Sequence, residues 1–241
     1  MRNLPLFIFL LFLPARVCAQ EYNRNPVCGT DTISRDYEHL KNGRVQDRGF
    51  ECTKPSDFGI RFELGYDRFS YNPKTQAWLG NHNGALGGVA IAYRNISFGA
   101  KVKLATVHPQ GDLRFNGEAL TPDAELNPVK IDYDVSYDFN LRYNFTLAPY
   151  VAYTTSEFIV INQDSLGEHY AIPKRRGFTA GIALNKYFKI KDFQFFGLFA
   201  RWGYGFTNFE KVHPDLGYGY SNLTFGIAYK GFGKTHFFKR L

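Results

Sequence analysis

Histidine, with an ordinary pKa near neutrality and two ring nitrogens, suits general-base work and metal ligation. The chain has six histidines. Four of them, His82, His108, His169 and His213, fall one to each of four long polar segments. Segments converging over one mouth would let these imidazoles form a metal site or a proton-transfer site. No spacing makes that chemistry more definite. The sequence holds neither His-Glu-x-x-His nor Gly-x-Ser-x-Gly, no phosphate-binding glycine loop, and no His–Ser pair at a defined spacing. His108-Pro109 and His213-Pro214 also read as turn residues. No catalytic residue and no cofactor are assigned, and these four histidines are the metal-ligand candidates.

A second set of chemically active groups is arranged in rows. In residues 129–143, VKIDYDVSYDFNLRY, the odd positions are apolar or aromatic. The even positions are Lys130, Asp132, Asp134, Ser136, Asp138, Asn140 and Arg142. This period of two puts charge on one face of a strand and grease on the other. Across the strands introduced below, the same face carries Arg61, Glu63, Asp67, Lys101, Lys103, Asp132, Asp134, Asp138, Arg142 and Arg201. Both signs are present, so these ten are expected to pair in a closed interior, because unpaired buried charge is costly. Such a network is structural or lines a small gated pore.

The strand that carries the aspartates is long. Fifteen residues at about 3.3 Å each reach about 50 Å, enough to cross a hydrocarbon core of about 30 Å while tilted. Further alternating segments occur at 57–67, 84–94, 96–106, 145–161, 174–187, 193–206 and 221–230. Pro149 lies inside one of them, cannot donate to a ladder, and predicts a bulge. The connections between segments run long, short, long, short, long, short, long. The fold class expected is all-β: an eight-stranded antiparallel up-and-down transmembrane β-barrel with a short N-terminal extension. Long loops then lie on one side, and short turns with both termini on the other. Tyr66, Tyr93, Tyr143, Tyr187 and Tyr229, at strand ends, predict an interfacial girdle.

Residues 1–19 read as a secretory signal peptide: Arg2, an apolar run over 4–13, and Val17-Cys18-Ala19 before Gln20. Arg16 and Val17 fit poorly before a lipidated Cys18. Residues 20–56 show no sustained period and predict a polar periplasmic extension, with a short helical turn at 36–40. Cys28 and Cys52 remain in the exported chain and predict a disulfide closing about 25 residues, worth roughly 3 kcal/mol; a metal site is the alternative, without a Cys-x-x-Cys or a nearby histidine pair to favour it. Residues 57–230 form the barrel and 231–241 a basic tail. The net charge of +7 becomes +5 without Arg2 and Arg16. These charges alternate along strands without clustering, which argues against a nucleic-acid partner.

On this alternation and loop rhythm, residues 57–230 resemble the small eight-stranded outer-membrane barrels of the OmpX type and the OmpA transmembrane domain. The Ala19-Gln20 junction and the Tyr/Phe/Asn-rich strands look like porin-family barrels of Bacteroidota. Asp31-Thr32-Ile33 and Asp164-Ser165-Leu166 look like that phylum's O-glycosylation sequon, which makes Thr32 and Ser165 candidate acceptors. The resemblance implies the bacterial outer membrane, both termini periplasmic, and outer-membrane lipid as the surrounding partner. It fits a non-enzymatic structural or accessory subunit of a larger envelope complex that presents its loops to a partner. A lipid acylase or deacylase using loop histidines is the second reading, and a soluble secreted ligand-binding barrel the third. These barrels commonly end on an aromatic residue, whereas this chain continues through Phe237-Phe238-Lys239-Arg240-Leu241.

Overall fold

The computed structural model describes residues 27–28, 35–39, 45–107, 114–115, 118–119, 125–161, 174–210 and 216–239. Eight long strands close on themselves: β1 (Val45–Tyr71), β2 (His82–Tyr93), β3 (Ile96–Ala105), β4 (Glu125–Tyr137), β5 (Phe145–Ile161), β6 (Arg175–Lys191), β7 (Gln194–Asn208) and β8 (Tyr218–Lys239). Each pairs antiparallel with its sequence neighbours, and β8 pairs with β1 to complete the ring. No helix among the described residues is long and apolar enough to cross a membrane.

The two faces of each strand separate by chemistry. Along β1, Phe58, Ile60, Phe62, Leu64 and Tyr66 point outward and are 41–62 % exposed, whereas Arg61, Glu63 and Asp67 are buried. The same inversion repeats at Phe98 against Lys101 and Lys103, at Tyr133 and Val135 against Asp132 and Asp134, and at Trp202 against Arg201. A soluble barrel would do the reverse, because burying apolar surface is the main driving term in water. The outward apolar run of β1 covers about 26 Å along the strand. Tilted by about 40°, it rises about 20 Å, most of an apolar band of roughly 25 Å. The chain is therefore a membrane-spanning barrel, and the soluble-barrel alternative is set aside by its greasy exterior.

Several elements differ from the sequence-based expectation. The expected fourth strand, 129–143, ends its regular ladder at Tyr137 and resumes briefly at Phe139–Asn140. The pairs Leu147–Phe139 and Tyr150–Ser136 share one register, so Pro149 produces a gap in the β4–β5 ladder and not the expected bulge. The chain then turns through Arg142–Asn144, with Tyr143 and Asn144 both at φ 61°. Residues 36–40 were expected to form a helical turn, yet Arg35–His39 is a strand on the edge of β1. The first and last strands run far past the barrel: β1 begins at Val45, and β8 continues to Lys239, paired with Phe50.

The first long connection contains a short helix, α1 (Pro73–Leu79). Asn72 caps it by accepting from the Thr75 amide at 3.0 Å, and Pro73 occupies the first turn, where a missing N–H costs nothing. The helix is clamped to the last long connection. Asn72 donates to the Tyr218 carbonyl at 2.9 Å, and the Gly217 amide donates to the Thr75 hydroxyl at 2.8 Å.

Candidate functional site

The candidate site is the barrel interior, which is layered. At the long-loop mouth, Phe69, Tyr71, Leu79, Val107, Phe158, Phe209, Leu216 and Tyr220 form one buried cluster, with Trp78 of α1 packed against it. Towards the short-turn end, Tyr187, Phe193, Phe195, Phe199 and Phe232 form a second. Charged residues fill the space between. Alternation explains the layout: each strand contributes every second residue to the interior, so the ionic rows become stacked rungs.

The lower rungs form one connected network. Lys101 Nζ lies 2.5 Å from Asp134 Oδ2 and 3.5 Å from Glu63 Oε2. Arg201 Nη2 is 3.1 Å from the same Asp134 oxygen, and its guanidinium lies 3.4 Å from the Tyr150 ring centroid. Arg61 bridges Glu63 at 3.0 Å and Asp138 at 3.7 Å, while Lys230 reaches Asp138 at 2.5 Å. A second group sits nearer the mouth. Lys103 lies 2.9 Å from Asp132 and 3.7 Å from Asp67. Thr154 donates to Asp132 at 2.7 Å, and Thr224 and Asn222 donate to Asp67 at 2.6 and 3.2 Å.

Of the ten charges singled out from the sequence, the structure places nine in the interior: Arg61, Glu63, Asp67, Lys101, Lys103, Asp132, Asp134, Asp138 and Arg201. Arg142 is exposed in the turn after β4. That position falls outside the interior because the strand breaks before it is reached. Two interior cations were not among the ten. Lys230 pairs with Asp138, and Lys130 is fully buried with its ammonium 3.5 Å from the Tyr220 ring centroid and 4.1 Å from that of Phe69. Both lie on the charged face of an alternating strand, so the row itself was the available signal. Tyr187, expected in the outer girdle, is buried inside; Tyr66, Tyr93 and Tyr143 are exposed.

His82 is not a loop residue. It is the first residue of β2, buried between the rings of Phe69 and Tyr71 at 4.9 and 5.2 Å between centroids. Its neighbours are apolar or cationic, which suits a packed imidazole better than a metal ligand. His108, His169 and His213 lie outside the described residues, as do Thr32 and Ser165. No cluster of three or more metal-ligating side chains occurs among the described residues. Cys28 and Cys52 are directly opposite each other across neighbouring antiparallel strands.

No protein-family model matches the chain, and no curated protein does. Solved structures with a similar arrangement include Ail, the attachment invasion locus protein of Yersinia pestis, in complex with the heparin analogue sucrose octasulfate. It shows 10 % identity and a TM-score of 0.44, over 73 % of this chain and 99 % of Ail. Neisserial surface protein A shows 13 % identity and a TM-score of 0.45, over 72 % of this chain and 96 % of that one. The outer membrane protease OmpT from Escherichia coli shows 12 % identity and a TM-score of 0.32, over 77 % and 98 %. At such values these likenesses carry nothing about activity or partners. The closed ring of eight strands and its outward apolar face define the chain as a small membrane-spanning β-barrel.

Proposed function

We propose that this protein is a non-catalytic barrel of the bacterial outer membrane that serves as a scaffold, an accessory subunit holding its two ends out to envelope partners. The observation that carries this reading is the filled interior. Two aromatic layers enclose a charge-paired middle, and an eight-stranded barrel has little room beyond its side chains. Such an interior suits rigidity better than transport. The signal peptide and a strand-built membrane span together favour the outer membrane, with both termini in the periplasm.

In that compartment Cys28 and Cys52 form a disulfide. Directly opposed residues of antiparallel strands have Cα atoms about 4.5–5.5 Å apart, within the range a disulfide spans. The bond ties the N-terminal segment to β1 below the barrel. Intact mass under non-reducing conditions tests it: a deficit of two hydrogens supports the bond, and two free thiols exclude it.

The scaffold reading is tested by planar-bilayer recording and lipid profiling. No stepwise conductance from the purified barrel, and unchanged lipid A on gene deletion, are the expected results. Regular conductance steps contradict the filled interior, and altered lipid A acylation contradicts the non-catalytic role.

A further inference from the structure

One cation interrupts the apolar outer face of β6. From Phe178 to Ile190 every second residue of that strand faces outward, and Lys186 alone among them is charged. A lysine on a lipid-facing row is unfavourable unless its head group reaches the interface. Lys186 pairs across the ladder with Phe145, the first residue of β5, so it stands at the short-turn margin of the outer face. Its ammonium donates to the Tyr143 carbonyl and lies 4.3 Å from the Phe145 ring centroid. One of its three donors is used in this way.

The turn between β4 and β5 completes the corner. The Leu141 amide donates to the Phe145 carbonyl at 2.8 Å, and Tyr143 and Asn144 both take φ 61°. Asparagine tolerates that region, whereas tyrosine rarely enters it. The strained Tyr143 directs its carbonyl to Lys186 and leaves its side chain on the surface, the residue being 72 % exposed. Strain of this kind persists where the surrounding structure imposes it and is concentrated at binding sites. Arg142, in the same turn, is exposed, and neither it nor Lys186 is bridged to a carboxylate among the described residues. β5 stands opposite β1 in the ring, so this corner faces away from Val27–Cys28 and Arg35–His39, which pair with β1.

On the mouth side of the corner the outer face is apolar. Phe139 pairs with Leu147, and Leu147 with Leu184, which makes one continuous outward row. Two cations without a counter-ion, an interfacial tyrosine and an apolar row above them match a phosphate that carries acyl chains. The ammonium of a zwitterionic headgroup would meet both cations, a repulsion that an anionic headgroup avoids.

We propose that Arg142, Tyr143 and Lys186 form a site for the phosphate of an anionic phospholipid in the leaflet on the short-turn side, with its acyl chains along Phe139, Leu147 and Leu184. Arg142 and the two remaining donors of the Lys186 ammonium hold the phosphate, and the Tyr143 ring flanks it. The site depends on the membrane span alone and stands whether or not the barrel serves as a scaffold.

The test reconstitutes the full mature chain in nanodiscs with equal amounts of phosphatidylglycerol and phosphatidylethanolamine of identical acyl chains. Native mass spectrometry reads the lipid retained by the released barrel. The expected result is at least fivefold more phosphatidylglycerol than phosphatidylethanolamine. Arg142→Gln combined with Lys186→Gln should bring that ratio below twofold, and Lys186→Arg should keep it. Lys189→Gln combined with Lys191→Gln removes the same charge from the exposed β6–β7 turn and should leave the ratio unchanged. Heat-modifiable migration reports folding of each variant, and Arg142→Gln alone, at an exposed turn position, should lower the ratio at least twofold. Equal retention of the two lipids overturns the proposal. So does an equal fall in both double variants, which would reduce the preference to general rim charge. Replacement of the lipid by a phosphate adduct in excess inorganic phosphate also overturns it, because the free anion would then be the occupant.

Discussion

The Lys130 ammonium lies 3.5 Å from the centre of the Tyr220 ring and 3.4 Å from the Tyr71 hydroxyl, fully buried and bridged to no carboxylate among the described residues. Around it the rings of Phe69, Tyr71 and Phe209 stand 4.1, 4.9 and 5.9 Å away. The buried charges among the described residues are six cations, Arg61, Lys101, Lys103, Lys130, Arg201 and Lys230, against five anions, Glu63, Asp67, Asp132, Asp134 and Asp138. The aromatic cage thus holds the one cation in excess, using ring quadrupoles in place of a counter-ion. Desolvation opposes that attraction, so Lys130→Met is expected to change stability by no more than about 1 kcal/mol. Lys130→Glu puts a carboxylate against the ring faces and should cost about 3 kcal/mol or more. Urea unfolding in detergent micelles measures both.

Lys103, directly across the ladder from Lys130, behaves differently, because it serves two carboxylates, Asp132 and Asp67. Lys103→Met leaves both without a cation partner and is expected to cost about 3–5 kcal/mol. Adding Asp132→Asn to that variant removes one stranded charge and should recover at least about 1 kcal/mol. A double-mutant cycle by urea unfolding checks the sign; strictly additive losses would show that the pair is not coupled.

Close packing inside the barrel makes two glycines informative. A Cβ at Gly205 would lie 2.2 Å from a Tyr220 ring carbon, displacing the ring that covers Lys130. Gly205→Ala is expected to destabilise by about 1–3 kcal/mol. At Gly87 the nearest atom to a new Cβ is Leu64 Cδ2 at 4.0 Å, on the outer side. Gly87→Ala should be neutral or slightly stabilising, within about 0.5 kcal/mol. Thermal gel-shift midpoints of the two variants give the comparison.

The outward face makes a depth-dependent prediction. Phe62 lies at the middle of the apolar run of β1, and Phe58 lies at its short-turn end against Tyr93, with ring centroids 4.9 Å apart. Phe62→Lys should cost about 2–4 kcal/mol in a bilayer, whereas Phe58→Lys should cost about 0–1 kcal/mol beyond the lost ring contact. Refolding equilibria into lipid vesicles measure the difference, and equal costs would argue against a lipid core at the level of Phe62.

Much of this architecture is legible in single residues. Asp132, Asp134 and Asp138 alternate with Tyr133, Val135 and Tyr137, and only a strand with one ionic and one greasy face satisfies that spacing. The faces of β1, β3, β7 and β8 are legible for the same reason, through Arg61, Lys101, Arg201 and Thr224. Legibility fails where the environment changes. Residues 45–56 and 231–239 are strand segments that run past the ring of eight and show no sustained alternation in sequence, so they read as an extension and a tail. Asn72-Pro73 looks like a turn because the same pair opens helices, and the seven residues of α1 are too few to show a period. Tyr187, Phe195 and Phe199 are aromatic yet point inward, because the interior near the short turns is closed by rings and not by charges. Lys130 and Lys230 follow the alternation faithfully, but the rows give no sign that one meets a carboxylate and the other a cage of rings.

Trp202 allows the inside-out assignment to be read directly. It is 52 % exposed on the outer face of β7, next in sequence to the buried Arg201, and the chain has two tryptophans. With Trp78→Phe in place, all tryptophan emission comes from Trp202. In vesicles of brominated phosphatidylcholine that emission should be blue-shifted and strongly quenched by the lipid bromines, with little effect of aqueous iodide. Emission insensitive to brominated chains but quenched by iodide would put the greasy rows in water and contradict the barrel described above.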